Sequence, residues 1–256
     1  MSKGKLQKFA EMKTFPNVFQ YPYSVASSVP FDMKGRWKQD YFHNDRPIIL
    51  ELGCGKGEYT VGLARQCPDI NFIGVDIKGA RMYTGAKEAL DDGLANVAFL
   101  RTNIEIIDRF FGDNDVEALW LTFSDPQMKN PRKRLSSSYF LERYRHFLVD
   151  NGVINLKTDS NFLFTYTSLL VEKNNLPLIY KSNNIHSAQP LPDALRQPLE
   201  IQTYYERQWM ERGIDIKFIC FRLPRIAPIA EPDVEIPIDE YRSYKRTQRS
   251  GKLTAK

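Results

Sequence analysis

What this chain has little of narrows the field first. It contains three cysteines, Cys54, Cys67 and Cys220, odd in number and without a Cys-x-x-Cys spacing. Neither a disulfide framework nor a cysteine-held zinc site is indicated, and a reducing compartment fits. Three histidines, His43, His146 and His186, lie far apart with no metal-ligand spacing, so no metal is expected. No unbroken apolar stretch is long enough to span a bilayer, and the start lacks the basic, apolar, small-residue order of a secretory signal. These absences predict a soluble, cytoplasmic protein with no membrane association. No internal repeat is visible.

Basic residues are in modest excess. Lys plus Arg number 36 against 31 Asp plus Glu, a net charge of +5 over 256 residues. The excess is uneven: Lys3, Lys5, Lys8 and Lys13 at the start, Arg132, Lys133 and Arg134 in the middle, and Arg242, Lys245, Arg246, Arg249, Lys252 and Lys256 at the end. A polyanion is the natural partner for such a surface. Taken alone, either terminal run reads first as solvated charge on flexible ends.

The length suits one α/β domain with decorated ends. Apolar runs at Pro47–Glu51, Asn71–Ile77, Asn96–Arg101, Glu117–Phe123, Gly152–Thr158, Leu176–Lys181 and Lys217–Leu223 read as strands. Between them, Glu58–Gln66, Gly79–Asp92, Ile104–Phe111, Ser138–Val149 and Asn161–Lys173 read as helices. The alternation predicts a mostly parallel seven-stranded sheet with helices on both faces. Ser124–Ser138 reads as a long loop after the fourth strand, and Asn183–Pro198 as a mobile lid or a simple connection. The expected organisation is a basic and aromatic extension over 1–45, a body over 46–224, and a Pro-rich then basic tail over 225–256.

The densest signal is Glu51-Leu52-Gly53-Cys54-Gly55-Lys56-Gly57, which follows an apolar run and opens a helical segment. Alternating glycines at a strand-to-helix turn let a bulky ligand approach the backbone closely. The spacing is not the Gly-x-Gly-x-x-Gly of dinucleotide folds, and Glu51 would repel a pyrophosphate. A cationic adenosyl ligand, S-adenosylmethionine, is favoured.

Further candidates stand at the ends of later strands. Asp76 can accept hydrogen bonds from ribose hydroxyls, though dehydrogenases use the same position. Asn103 can bind an adenine edge or cap a helix. In Phe123-Ser124-Asp125-Pro126 the proline holds Asp125 extended, presenting a carboxylate at the reacting centre; an ordinary turn is the competing role. Lys129, Arg132, Lys133 and Arg134 follow as phosphate-binding charge or solvated loop charge. Lys157-Thr158-Asp159 ends the fifth strand, where Asp159 also reads as a helix N-cap. Thr203 and Glu206 have the spacing of a capping box.

Together these segments resemble the tRNA (guanine-N7-)-methyltransferases of the bacterial TrmB type. The resemblance covers roughly residues 5–223, including Phe15-Pro16-Asn17-Val18-Phe19, and rests most on the Asp-Pro and Thr-x-x-Glu elements. It implies a Rossmann-like class I S-adenosylmethionine-dependent fold. It implies that Glu51, Gly53, Gly55, Asp76, Asn103 and Asp125 bind the cofactor, with Asp125 catalytic. It also implies that Lys129, Asp159, Thr203 and Glu206 contact tRNA or the target guanine, at tRNA position 46. The chain departs from the family's pattern at Gln127-Met128, where Trp or His is usual after Asp-Pro, and in its shorter basic stretch through Leu135. Asp76 and Asn103 stand where the family often has Glu and Asp. A methyltransferase with another substrate, a catalytically silent RNA-binding module and, more distantly, a nicotinamide dehydrogenase are the alternatives.

Overall fold

The structure, a computed structural model, describes residues 4–26, 28–187 and 190–240. Lys3 and the basic run from Arg242 to Lys256 lie outside the described residues. Eight strands form one sheet: β1 (Val18–Gln20), β2 (Ile48–Leu52), β3 (Asn71–Val75), β4 (Val97–Arg101), β5 (Val116–Thr122), β6 (Leu148–Thr158), β7 (Leu178–Ser182) and β8 (Lys217–Leu223). Their order across the sheet is β1-β4-β3-β2-β5-β6-β8-β7. Pairing is parallel from β1 to β6, and β8 runs antiparallel to both β6 and β7.

The helices are α1 (Lys5–Met12), α2 (Tyr23–Ala26), α3 (Glu58–Gln66), α4 (Gly79–Asp91), α5 (Ser138–Tyr144), α6 (Asn161–Lys173), α7 (Asp193–Glu200) and α8 (Tyr204–Met210). They cover both sheet faces. On one face Tyr59, Val61 and Leu63 of α3 and Met82, Ala86 and Ala89 of α4 pack with Phe99 and Trp120. On the other, Phe140 and Tyr144 of α5 and Leu163 and Leu170 of α6 pack with Leu50, Leu119 and Leu156. Strands buried on both faces account for the near-continuous apolar runs in the sequence.

The expected α/β sheet is present, with corrections. An eighth strand, β1, joins the edge because Phe99 N donates to Asn17 O at 2.7 Å and Tyr21 N to Arg101 O at 2.9 Å. Three residues carry too little pattern to be seen before their partner is in place. Phe19 in β1 meets Trp37 at 5.0 Å between ring centroids and Tyr41 at 5.2 Å, which ties the extension into the core.

The helix expected over Ile104–Phe111 is a 3-10 segment, Ile104–Arg109, broken at Ile106 (φ −122°). The helix expected to reach Val149 stops at Tyr144, and β6 starts early at Leu148, with a register shift against β5 between Val116 and Ala118. Within the stretch read as a lid or connection lies α7, hidden from a propensity reading by the internal Pro198. It docks on α3, where the Tyr59 hydroxyl donates to Pro198 O at 2.6 Å.

After β8 the chain returns across α5 and α6. Glu231 accepts from Ser138 N at 2.9 Å and from the Tyr166 hydroxyl at 2.5 Å. Asp239 accepts from Phe162 N at 3.0 Å and from the Ser160 hydroxyl at the start of α6.

Candidate functional site

Parallel pairing puts the carboxyl ends of β2 to β6 on one edge, so residues scattered from 53 to 159 converge there. The sheet order reverses between β2 and β5, the position where open α/β sheets leave a crevice.

The glycine turn forms one wall. Gly53, Gly55 and Gly57 all hold positive φ (84°, 57° and 77°), which side chains with a Cβ rarely adopt. A Cβ on Gly53 would meet nothing within 4 Å, whereas one on Gly57 would stand 2.7 Å from the Phe99 ring. The first glycine therefore faces open space and the third allows close packing beneath the turn. Asp76, one residue beyond β3, accepts from Gly55 N at 2.9 Å and from Lys78 N at 2.7 Å. Its carboxylate fixes the turn while lying beside the opening.

Glu51 lies behind this wall, nearly inaccessible at 3% exposure. It accepts from Thr60 N at 2.9 Å and from the hydroxyls of Thr60 and Thr122, tying β2 to α3 and β5. Burial pushes its carboxyl up to about 7; the Thr122 and Thr60 hydrogen bonds act against that shift and the Asp76 charge adds a little to it.

A cavity of about 310 Å³ opens on this edge, lined among others by Gly53, Asp76, Ile77, Thr102, Asn103 and Gln127. Asn103 occupies the N-cap position of the 3-10 segment, but its side chain makes no capping bond there. Thr102 is buried, and among the described residues its hydroxyl has no partner. Ile77, 41% exposed, adds apolar surface to the rim. Three of the predicted cofactor residues, Gly53, Asp76 and Asn103, thus share one cavity.

The loop after β5 borders the same cavity through Gln127. Asp125 is exposed and accepts from Gln127 N at 3.0 Å, a local turn that leaves its second oxygen without a protein partner among the described residues. Phe123 and Gln127, on either side of it, hold positive φ (49° and 47°), an uncommon state for side chains of this size. Arg134 holds this conformation. Its guanidinium lies 4.7 Å from the Phe162 ring centre and 4.5 Å from that of Tyr166, and donates to Gln127 O at 3.2 Å and Met128 O at 2.9 Å. Arg134 is therefore not free phosphate-binding charge, because the loop's carbonyls and two rings engage it. Lys129, Arg132 and Lys133 remain exposed.

The remaining candidates gather around β6 and α8. Asp159 is buried just past β6. Thr203 caps α8, its hydroxyl accepting from Glu206 N at 3.2 Å. Glu206 turns inward, where Lys157 Nζ stands 2.8 Å from one carboxylate oxygen and His186 Nε2 is 3.0 Å from the other. Lys157 also donates to Leu199 O at 3.1 Å and Ile201 O at 2.9 Å, so a single ammonium ties β6 to the α7–α8 connection. Burial holds the Lys157 ammonium below its usual range, against the opposing pull of Glu206.

Sequence reasoning assigned no role to Thr60, Thr122, His186 or Asp239, read Arg134 only as phosphate-binding or solvated loop charge, and named Lys157 only as part of the Lys157-Thr158-Asp159 segment. One signal was available. Lys157 follows the mostly apolar stretch 153–156 near the end of a central strand, and a lysine there requires a buried partner. Nothing local marks Arg134 or Asp239, whose partners are distant in sequence.

A family model described as "Putative methyltransferase" matches residues 45–219. A "tRNA (guanine-N(7)-)-methyltransferase" of Bacteroides fragilis is 59% identical over the whole of both chains. A protein of the same description from Porphyromonas gingivalis is 53% identical, covering 93% of this chain and 98% of its own. Among solved structures, one described as "Structure of an Antibiotic Related Methyltransferase" superposes with a TM-score of 0.52 at 13% identity, over 76% of this chain and 96% of that one. That likeness concerns the fold alone.

Proposed function

Because this chain belongs to the tRNA (guanine-N(7)-)-methyltransferase family, we propose that the cavity and its rim hold the methyl donor and present it to the guanosine at position 46 of tRNA. The protein is an enzyme that transfers a methyl group from S-adenosylmethionine to N7 of a guanosine in tRNA. The observation that carries the residue assignment is the convergence of Gly53, Asp76 and Asn103 on one cavity bordered by the Asp125 loop. A tRNA substrate places the activity in the cytoplasm. The body over 46–224 carries the chemistry, and the flanking extensions carry basic runs that attract the polyanion.

The residues present suit the donor. Open space at Gly53 admits a ligand against the backbone, Asp76 and Asn103 offer polar groups on one wall, and Thr102 supplies an unpartnered hydroxyl. In its ionised form, which gains population as pH rises through about 7, Glu51 adds negative potential behind the turn, which favours a cationic ligand. When bound, S-adenosylmethionine supplies an electrophilic methyl on a sulfonium centre.

Guanine N7 has an in-plane lone pair and no proton, so the attack requires no general base. The protein has to align the base and to supply negative potential where the purine becomes cationic. Asp125 does both: its carboxylate accepts from the base's N1–H and exocyclic amine, and offsets the developing charge. Asp159, Thr203 and Glu206, buried within the protein, support the segments that border the base, and Lys129 takes a neighbouring phosphate. Exposing a base that is engaged in tRNA tertiary structure costs a few kcal/mol, which backbone contacts offset.

Nucleoside mass analysis of unmodified tRNA incubated with protein and donor, followed by mapping of the modified site, tests this reading. 7-Methylguanosine at position 46 is the expected product. No 7-methylguanosine would overturn the activity, and a different position would overturn the site alone.

A further inference from the structure

Two tyrosines on the first turn of α8 remain in solvent although the helix beneath them is firmly anchored. Tyr204 and Tyr205 are 42% and 38% exposed, with ring centroids 5.8 Å apart at an interplanar angle of 72°. Beneath them Thr203 caps the helix, Glu58 accepts from Tyr204 N at 3.2 Å, and Glu206 is buried against Lys157. Each ring has a cation beside it from a different element. Lys56 Nζ, in the glycine turn, lies 4.1 Å from the Tyr204 ring centre, and the Arg81 guanidinium, on α4, lies 5.9 Å from that of Tyr205.

The surface so formed runs from the glycine turn to the first turns of α4, bordering Thr203. Exposed ring surface flanked by cations suits a single-stranded nucleotide, whose base stacks on an aromatic face while its phosphate meets the positive charge. A neutral apolar partner would leave the cations unused, and an acidic peptide without aromatic side chains would leave the rings unused. We propose that Tyr204 and Tyr205, with Lys56 and Arg81, form a stacking surface for an unpaired tRNA nucleotide flanking the methylated guanosine. The inference rests on the tRNA reading above and extends it to a second contact that touches neither the donor nor the target base. Anchoring of α8 holds the rings in place before RNA arrives, which lowers the ordering cost of binding.

The test uses the full chain with unmodified tRNA, comparing Tyr204→Ala, Tyr205→Ala, the corresponding phenylalanine variants and Arg81→Ala. The measurements are methyl-transfer kinetics and, separately, donor affinity by calorimetry. Loss of one stacked base lowers affinity by roughly tenfold or more. Each alanine variant is expected to raise KM for tRNA by about that factor, with kcat at saturating tRNA and donor affinity close to wild type. The phenylalanine variants keep the ring and should keep KM within about twofold. Arg81→Ala should reduce the salt slope of tRNA affinity by about one. Alanine variants with wild-type KM would overturn the proposal. So would phenylalanine and alanine variants equally impaired, or a loss confined to donor affinity, which would make the rings a clasp on the glycine turn. A wild-type protein that made no 7-methylguanosine would instead refute the underlying activity.

Discussion

Lys157 and Glu206, 49 residues apart in sequence, meet at 2.8 Å with neither side chain exposed to solvent. The pair joins the strand that ends just before Asp159 to the helix that begins after Thr203, so two segments proposed to face the substrate share one buried support. Lys157→Met leaves Glu206 buried with only the His186 ring beside it, and should lower stability by about 3–5 kcal/mol. Lys157→Met combined with Glu206→Leu should recover much of that loss, because the isolated charge is gone. Urea denaturation of the single and double variants measures it, and a double variant no more stable than the single one would contradict the account.

The buried carboxyl of Glu51 makes stability depend on pH. Its folded-state value, raised from 4.5 to about 7, means that the folded chain holds a proton that the unfolded chain has lost. The contribution is complete below about pH 4.5 and is lost as pH rises through about 7, amounting to roughly 3 kcal/mol. Glu51→Gln should remove this part of the slope, seen by denaturation at about pH 5 and pH 8. Equal slopes in the two proteins would show that another group is responsible.

Asp125→Ala removes the exposed carboxylate without touching the core. Methyl transfer should fall on the order of a hundredfold while the fold persists. Transfer at the wild-type rate on purified tRNA would dismiss the assignment.

Arg134→Lys keeps the charge but loses the planar fork that reaches Gln127 and Met128 and stacks between Phe162 and Tyr166. The Asp125 loop should loosen, lowering kcat by roughly tenfold to a hundredfold with donor affinity little changed. A variant with unaltered kcat would show that the loop keeps its conformation without this residue.

Binding of tRNA should weaken steeply with salt, by at least about tenfold between roughly 50 and 200 mM, because phosphate contacts release counterions. Filter binding or fluorescence titration across that range measures the slope. A flat response would remove the polyanion argument drawn from Lys129, Arg132 and Lys133.

The repeating strands and helices were legible because their patterns are local. Pro47–Glu51 and Lys217–Leu223 are apolar runs bounded by turn residues, and β2 (Ile48–Leu52) and β8 (Lys217–Leu223) fall there. Elements whose stability comes from a distant partner were not legible. The three residues of β1 depend on β4, and α7 persists with Pro198 inside because it packs on α3. In the Thr203–Glu206 box, the expected cap from Thr203 forms. The reciprocal carboxylate contact gives way to Lys157, because a charged partner in the interior outweighs a neutral backbone donor.

By itself, the sequence determined the chemistry: a glycine turn after a strand, acidic residues at successive strand ends, a proline-stiffened Asp125 and a basic loop. Residue type and spacing are enough for that, since they set which groups can bind or react and which backbone states they allow. Only the tertiary structure decided which of those groups stay available. Folding placed Asp76 and Asn103 on an open cavity, buried Glu51 against two threonines, and turned Arg134 from loop charge into a support for the loop. Burial and pairing depend on contacts between residues far apart in the chain, and no local pattern encodes them.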